Sequence, residues 1–202
     1  MDFEALFPAG VESLEEFFQR TPRFAVAFSG GADSACLLGA AKAAGCQVKA
    51  YMVKTAFQPD ADVEDAKRVA AECGAELEIL YADVLSQPQI AVNPSDRCYH
   101  CKTFIFGTIW EHARRDGYQV LCDGTNATDN PARRPGFRAL AELDVVSPLR
   151  RAGLTKDDVC AVGRGVGVSL ADKPSFSCYA VHVPTGQPLT EEVLRETAAR
   201  FK

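Results

Sequence analysis

Apolar positions along the chain fall into short runs separated by stretches with helical spacing. Residues 24–28 form an apolar run rich in Phe and Val that stops at Ser29; two glycines follow, and a helical pattern then runs from Asp33 through Leu37 and Leu38 to about Ala44, with Gly45 as its terminator. Gln47 to Val53 alternates and predicts a second strand. Asp60 to Cys73 reads as a helix with Val63, Ala66 and Ala70 inward, and Glu76 to Tyr81 as a third strand. Ahead of these, Ser13 and Glu16 have capping-box spacing before Phe17 and Phe18, so residues 11–20 predict a packing helix.

The second half is less regular. Between Ala82 and Arg97 the pattern breaks around Pro88 and Pro94, which predicts a loop or a mobile lid. Cys98 to Lys102 leads into an amphipathic helix carrying Phe104, Ile105, Ile109 and Trp110, and Gln119 to Cys122 is a short strand. Residues 127–137 read as a polar loop, Val145 to Leu149 as a last core strand interrupted by Pro148, and Thr155 with Asp158 as the cap of a helix to about Val166. Asp172 to Cys178 is a loop, and a final amphipathic helix runs from Thr190 to the C-terminus. Strands alternating with helices over short connections predict an α/β fold, a parallel sheet with helices on both faces, here as a single domain over residues 1–202.

Composition changes this picture little. The 202 residues are 47% hydrophobic and 24% charged, with a net charge of -5, as for a soluble globular protein with one core. No apolar run reaches the roughly 18 residues needed to cross a bilayer, and the first residues lack a basic leader, so the expected location is the cytoplasm. Net acidity argues against broad nucleic-acid binding, with a local basic site at Arg133, Arg134 and Arg138 as the exception. Eight cysteines in such a compartment are expected to be reduced; Cys36, Cys46, Cys73, Cys122 and Cys160 fit small buried hydrophobes.

Candidate chemistry begins at residues 29–34, Ser-Gly-Gly-Ala-Asp-Ser. Gly30 and Gly31 allow a tight turn whose backbone N–H groups can approach an anion, and the following helix start adds its own donors. Ser29 and Ser34 supply hydroxyls. Asp33 would repel bare phosphate but suits Mg2+ beside it. The residues lack the Lys of a Walker loop and the spacing of a dinucleotide fingerprint. They resemble the Ser-Gly-Gly-x-Asp-Ser loop of the PP-loop ATP pyrophosphatases, which cleave ATP between the α and β phosphates; a capped helix start is the plainer reading of the same residues.

Three further stretches share the order expected of one family: residues 93–102 (Asn-Pro-Ser-Asp-Arg-Cys-Tyr-His-Cys-Lys), residues 123–126 (Asp-Gly-Thr-Asn) with Arg134-Pro135-Gly136, and Lys173-Pro174-Ser175 ahead of Cys178. With the phosphate loop they resemble the LarE family of ATP-dependent sulfur transferases over roughly residues 10–190. Members convert the carboxylates of a pyridinium dicarboxylate mononucleotide to thiocarboxylates for the nickel-pincer cofactor. The resemblance implies ATP and Mg2+ at Ser29, Gly30, Gly31, Asp33 and Ser34, with adenine near Met52 and Val53 and further nucleotide contacts from Gly124, Thr125 and Arg134. It names Cys178, Asp33 and Lys102 as catalytic residues, a small-molecule carboxylate as substrate and a homo-oligomer as the assembly.

It leaves the sulfur source open. Cys178 would either give up its own sulfur or share a 4Fe-4S cluster with Cys98 and Cys101; a zinc site completed by His100 or His112 is a third reading, and His100 alone reads as a surface residue on a helix start. Lys173 or His182 are the cations expected to favour the Cys178 thiolate. Two departures stand out. The family commonly reads Leu-Ala-Ser-Arg after the cysteine, whereas this chain has Tyr179-Ala180-Val181-His182, and it stops before the family's further C-terminal segment. Another PP-loop adenylating enzyme, such as a tRNA thiolase or amide former, and a noncatalytic nucleotide- or metal-binding module are the competing readings.

Overall fold

A computed structural model describes residues 8–131 and 135–201. Among the described residues a five-stranded sheet of β1 (Arg23–Ala27), β2 (Gln47–Lys54), β3 (Glu76–Tyr81), β4 (Leu121–Cys122) and β5 (Val145–Val146) has the order β3-β2-β1-β4-β5. Every pairing is parallel, with Ala25 and Val26 of β1 opposite Leu121 and Cys122 of β4. Successive connections step one way from β1 to β3, then return past β1 to β4. The order therefore reverses beside β1, which opens a crevice at the carboxyl ends of β1 and β4.

Alternation along the strands divides the core in two. Phe24, Val26 and Met52 join one face with α1 (Leu14–Arg20), α2 (Ala32–Ala43), α3 (Ala61–Glu72) and α8 (Lys156–Gly165). Ala25, Tyr51, Val53 and Leu121 join the other with α5 (Arg97–Arg115) and α6 (Gly136–Glu142). The Ser13 capping box forms as expected: Ser13 Oγ accepts from the Glu16 amide at 3.1 Å, and the Ser13 amide donates to Glu16 Oε2 at 2.7 Å. That fixed entry angle seats Phe17 edge-on to Phe24, ring centroids 5.7 Å apart.

Elsewhere the structure corrects the pattern. The last strand is only Val145–Val146, because Pro148 has no amide to give a ladder and instead starts α7 (Pro148–Arg151). The polar loop ends early, with α6 beginning at Gly136. The final helix, α9, is Glu191–Ala198, followed by a 3-10 turn over Ala199–Phe201. Residues 82–97, expected to be a loop or lid, contain a short helix, α4 (Pro88–Ala91), and line a third core. There Val84 and Ile90 are fully buried with Phe57, Ala180, Val183, Leu189 and Leu194, so this segment holds the C-terminal part of the chain. Gly186 and Leu189 donate their amides to the carbonyls of Asn93 and Ala91 at 2.8 and 2.7 Å.

At the opposite, amino end of the strands, Lys49 is 7% exposed and meets Asp116 Oδ2 at 2.5 Å, Glu78 Oε2 at 2.8 Å and Glu76 Oε1 at 2.9 Å. Burial opposes its charge, but the three carboxylates more than offset this and raise its pKa. The Lys49 ammonium, then the Tyr51 hydroxyl, hold the Asp116 carboxyl down at about 2. Asp116 therefore contributes stability that is present above the unfolded value of about 4 and is lost as the pH falls towards about 2. Asp116→Asn removes that contribution; its thermal midpoint should fall less than the wild type's between about pH 4 and about pH 2, read by circular dichroism melts.

Candidate active site

The crevice between β1 and β4 is lined by two loops pressed together through glycine. Gly31 is the N-cap of α2 and offers no side-chain cap, so the donors of the first turn face the crevice free of that competitor. Ser29 and Ser34 close the turn: their hydroxyl oxygens lie 3.1 Å apart, Ser34 Oγ accepts from the Ser29 amide at 3.2 Å, and Ser34 donates to the Gly31 carbonyl at 3.1 Å. Gly30 takes a φ of 75°, and a Cβ there would lie 2.6 Å from the Asp62 carbonyl oxygen of α3. A Cβ on Gly124 would lie 2.6 Å from the Ser34 amide nitrogen. Only glycine lets the loop after β4 reach the start of α2.

Asp123 is 6% exposed and organises that second loop. Its carboxylate accepts from the Thr125 hydroxyl at 2.5 Å and the Ser147 hydroxyl at 2.7 Å. Thr125 is consequently committed to the loop itself, and its carbonyl takes the Arg150 amide at 3.1 Å. Met52 and Val53 are 0% and 3% exposed and belong to opposite cores. Any contact they make with adenine would be through the backbone at the end of β2. Arg134 lies outside the described residues.

Two lysines flank the phosphate loop, and neither was assigned there from the pattern. Lys156, the first residue of α8 after the Thr155 cap, reaches Asp33 Oδ1 at 2.6 Å. The candidate Mg2+ ligand thus carries a cation of the chain's own. Lys173 donates to the Gly30 carbonyl at 3.1 Å, Asp62 Oδ1 at 2.8 Å and Asp65 Oδ2 at 2.8 Å. Its three donors are thereby taken by the phosphate loop and α3.

The cation that acts on Cys178 is Arg97. It is 7% exposed at the start of α5 and donates to Asn93 Oδ1 at 2.9 Å, the Ala180 carbonyl at 2.5 Å and Cys98 Sγ at 3.3 Å. Burial pushes the Cys178 thiol up, while Arg97 pulls it back. The His182 ring lies against Phe201, centroids 4.5 Å apart. Cys101 is pushed to about 12, first by burial and then by the charges of Cys178 and Cys98. Cys101 and Cys178 both pack on the third core, and the Cys98 charge adds to the rise at each of them.

The zinc reading loses its His112 variant. His112 lies eleven residues beyond Cys101 on one helix, about 16 Å along its axis, and its Nδ1 is 2.7 Å from Glu78 Oε1. His100, in the first turns of α5, lies 3.4 Å from Asp96 Oδ2 and is partly exposed, as a helix-start surface residue should be. Among the described residues no group of three His, Cys, Asp or Glu is arranged as a ready metal site. Lys102 runs its stem against Gly136 and sets its ammonium 5.7 Å from the Phe106 ring centroid, which brings together two of the sequence stretches.

A Gly124→Ala variant tests the two-loop contact. The added methyl must displace backbone, so it should cost about 1–3 kcal/mol of stability and weaken Mg·ATP binding by the fully folded protein, measured by denaturant unfolding and calorimetry.

No protein-family model matches the chain. An uncharacterized protein from Synechocystis sp. is 31% identical over 187 residues, 92% of this chain and 69% of that one. The pyridinium-3,5-bisthiocarboxylic acid mononucleotide synthase of Lactiplantibacillus plantarum is 29% identical over 182 residues, 89% of this chain and 66% of that protein. The chain thus spans about two thirds of the length of the curated relatives it matches. The structure of NMN synthetase from Francisella tularensis superimposes with a TM-score of 0.63 at 17% identity, covering 87% of this chain and 76% of that one, a likeness of fold. No helix among the described residues is long and apolar enough to cross a membrane. With these relatives matched over about nine tenths of its length, the chain belongs to the LarE family, on the fold of the PP-loop ATP-using enzymes.

Proposed function

We propose that the chain is an ATP-dependent sulfur transferase of the LarE type, which adenylates a carboxylate of a pyridinium dicarboxylate mononucleotide and replaces an oxygen by sulfur through Cys178, on the route to a nickel-pincer cofactor. The observation that carries this reading is the shared anchorage of the phosphate loop and the cysteine loop: Lys173, five residues before Cys178, is bonded to Gly30. An adenylating site and a thiol serve one reaction only if they face one substrate.

The substrate carboxylate attacks the α-phosphorus of ATP, the bond to the β-phosphate breaks, and pyrophosphate leaves into the cradle of Ser29, Gly31 and Ser34. Asp33, which is paired with Lys156, would hold Mg2+ beside that cradle, and the metal would offset the charge of the departing pyrophosphate. The acyl-adenylate turns a poor acceptor into one a thiolate can attack. Cys178 must first lose its proton, because burial keeps the thiol protonated, and Arg97 is the charge that favours the anion. Attack expels AMP and leaves a thioester; removal of the Cα proton of residue 178 then breaks its Cβ–S bond, giving thiocarboxylate and dehydroalanine.

The packing of Cys101 and Cys178 on one core, with Cys98 three residues before Cys101 on the same helix, favours a second sulfur source. Cys98, Cys101 and Cys178 match in kind the three thiolates that would hold a 4Fe-4S cluster. Such a cluster, when bound, would supply exchangeable sulfide and spare Cys178.

Anaerobic turnover with ATP, Mg2+ and the mononucleotide, followed by mass spectrometry of the peptide around residue 178, decides between the sources. Loss of the sulfur of Cys178 is expected if it is sacrificed; an intact residue, iron-dependent absorbance and sulfide-dependent turnover are expected if it is a ligand. Cys178→Ala should abolish transfer in either case while leaving pyrophosphate release. Absence of both thiocarboxylate and pyrophosphate from wild-type protein would overturn the proposal.

A further inference from the structure

We propose that Lys173 is a positioning residue that sets the phosphate loop for ATP and transmits its occupancy to Cys178. This rests on the reading of residues 29–34 as the ATP site.

An ammonium has three hydrogens, and here each has an acceptor: the Gly30 carbonyl, Asp62 and Asp65. Its pKa is raised accordingly, since the two carboxylates more than offset the burial that opposes its charge. The two carboxylates stand on the first turns of α3, three residues apart and so on one face of that helix. Arg68 donates to the other oxygen of Asp65 at 2.5 Å, which holds that carboxylate in place. Lys173 is therefore fastened to the helix on one side and to the phosphate loop on the other.

The bond to Gly30 has a geometric consequence. Peptide groups are planar and trans, so drawing the Gly30 carbonyl towards Lys173 turns the Gly31 N–H to the opposite side. There it lies 3.3 Å from Ser29 Oγ, among the donors that a phosphate would meet. Gly30 can hold this orientation because its φ of 75° is open to it, and because without a Cβ it packs directly on the Asp62 carbonyl. A phosphate that draws on the Gly31 N–H must work on the same peptide plane that Lys173 holds.

The path from Lys173 to Cys178 contains neither helix nor strand, and Cys178 begins the 3-10 turn at Tyr179–His182. That turn is pinned at its start, where Tyr179 donates its amide to the Phe57 carbonyl at 2.9 Å. Five residues between two fixed points form a short strap. In this proposal the strap is the path by which a shift of the phosphate loop reaches the cysteine.

The test combines two readouts on anaerobically purified full-length protein: Mg·ATP affinity by calorimetry, and the alkylation rate of Cys178 by iodoacetamide, followed by peptide mass spectrometry with and without Mg·ATP. Wild type should bind Mg·ATP and change its Cys178 alkylation rate on binding. Lys173→Met should raise the Kd about tenfold, as for one charge-assisted bond lost, and make Cys178 alkylation indifferent to ATP. Lys173→Arg, which keeps the charge and a donor, should recover part of both. Asp65→Asn loosens the anchor from the far side of Lys173 and should act in the same direction more weakly, which serves if Lys173→Met does not fold. Wild-type affinity with an unchanged ATP response in folded Lys173→Met, or in Asp65→Asn where Lys173→Met does not fold, overturns the role of Lys173. Wild-type binding without any effect on Cys178 alkylation overturns the transmission. Failure of wild-type protein to bind Mg·ATP overturns the ATP site and this inference with it.

Discussion

Backbone meets backbone at the mouth of the β1–β4 crevice, and the site depends on that contact. Parallel sheets collect ligands where strand order reverses, but the reversal only supplies a gap. Gly124 against Ser34, and Gly30 against Asp62, draw three separate connections into that gap at distances no side chain would permit. Everything polar nearby then follows from satisfying the groups brought together. Asp123 ties Thr125 and Ser147, the Ser29 and Ser34 hydroxyls tie the turn, and Lys156 and Lys173 each neutralise carboxylates next to it.

The sequence is most legible where structure is decided locally. A strand ending in two glycines and a helix start is written in consecutive residues, so the phosphate loop, β1 to β3 and their helices emerge from the pattern alone. Val145 to Leu149 looks equally apolar, but the missing amide of Pro148 stops the strand after two residues. Residues 82–97 misled for another reason. Val84 and Ile90 follow no period because the surface that buries them is the C-terminal segment, about a hundred residues later.

Long-range pairing also hid much of the site. Asp62 and Asp65, three apart near a helix start, have the signature of an exposed acidic face, and only the fold reveals that Lys173 fills it. Arg97 sits inside a stretch that was noticed for its cysteines. Its partners, Asn93 and the Ala180 carbonyl, are four and eighty-three positions away, so no spacing rule distinguishes it from a surface arginine. Lys156 follows a readable cap residue, yet its own target, Asp33, is invisible without the α2–α8 packing.

The lengths and charges of the two outer strands bear on how copies of the chain can meet. An unpaired edge invites another strand to add to it. On one side β5 offers only two residues before Pro148 turns the chain away, too little ladder to capture a neighbour. On the other, β3 carries Glu76 and Glu78, charged side chains that disfavour the addition of a further strand. Lys49 holds both carboxylates, and His112 and Arg115 hold Glu78 as well. The same ion cluster that braces the fold therefore also sets charge along an outer strand, which disfavours strand addition at that edge.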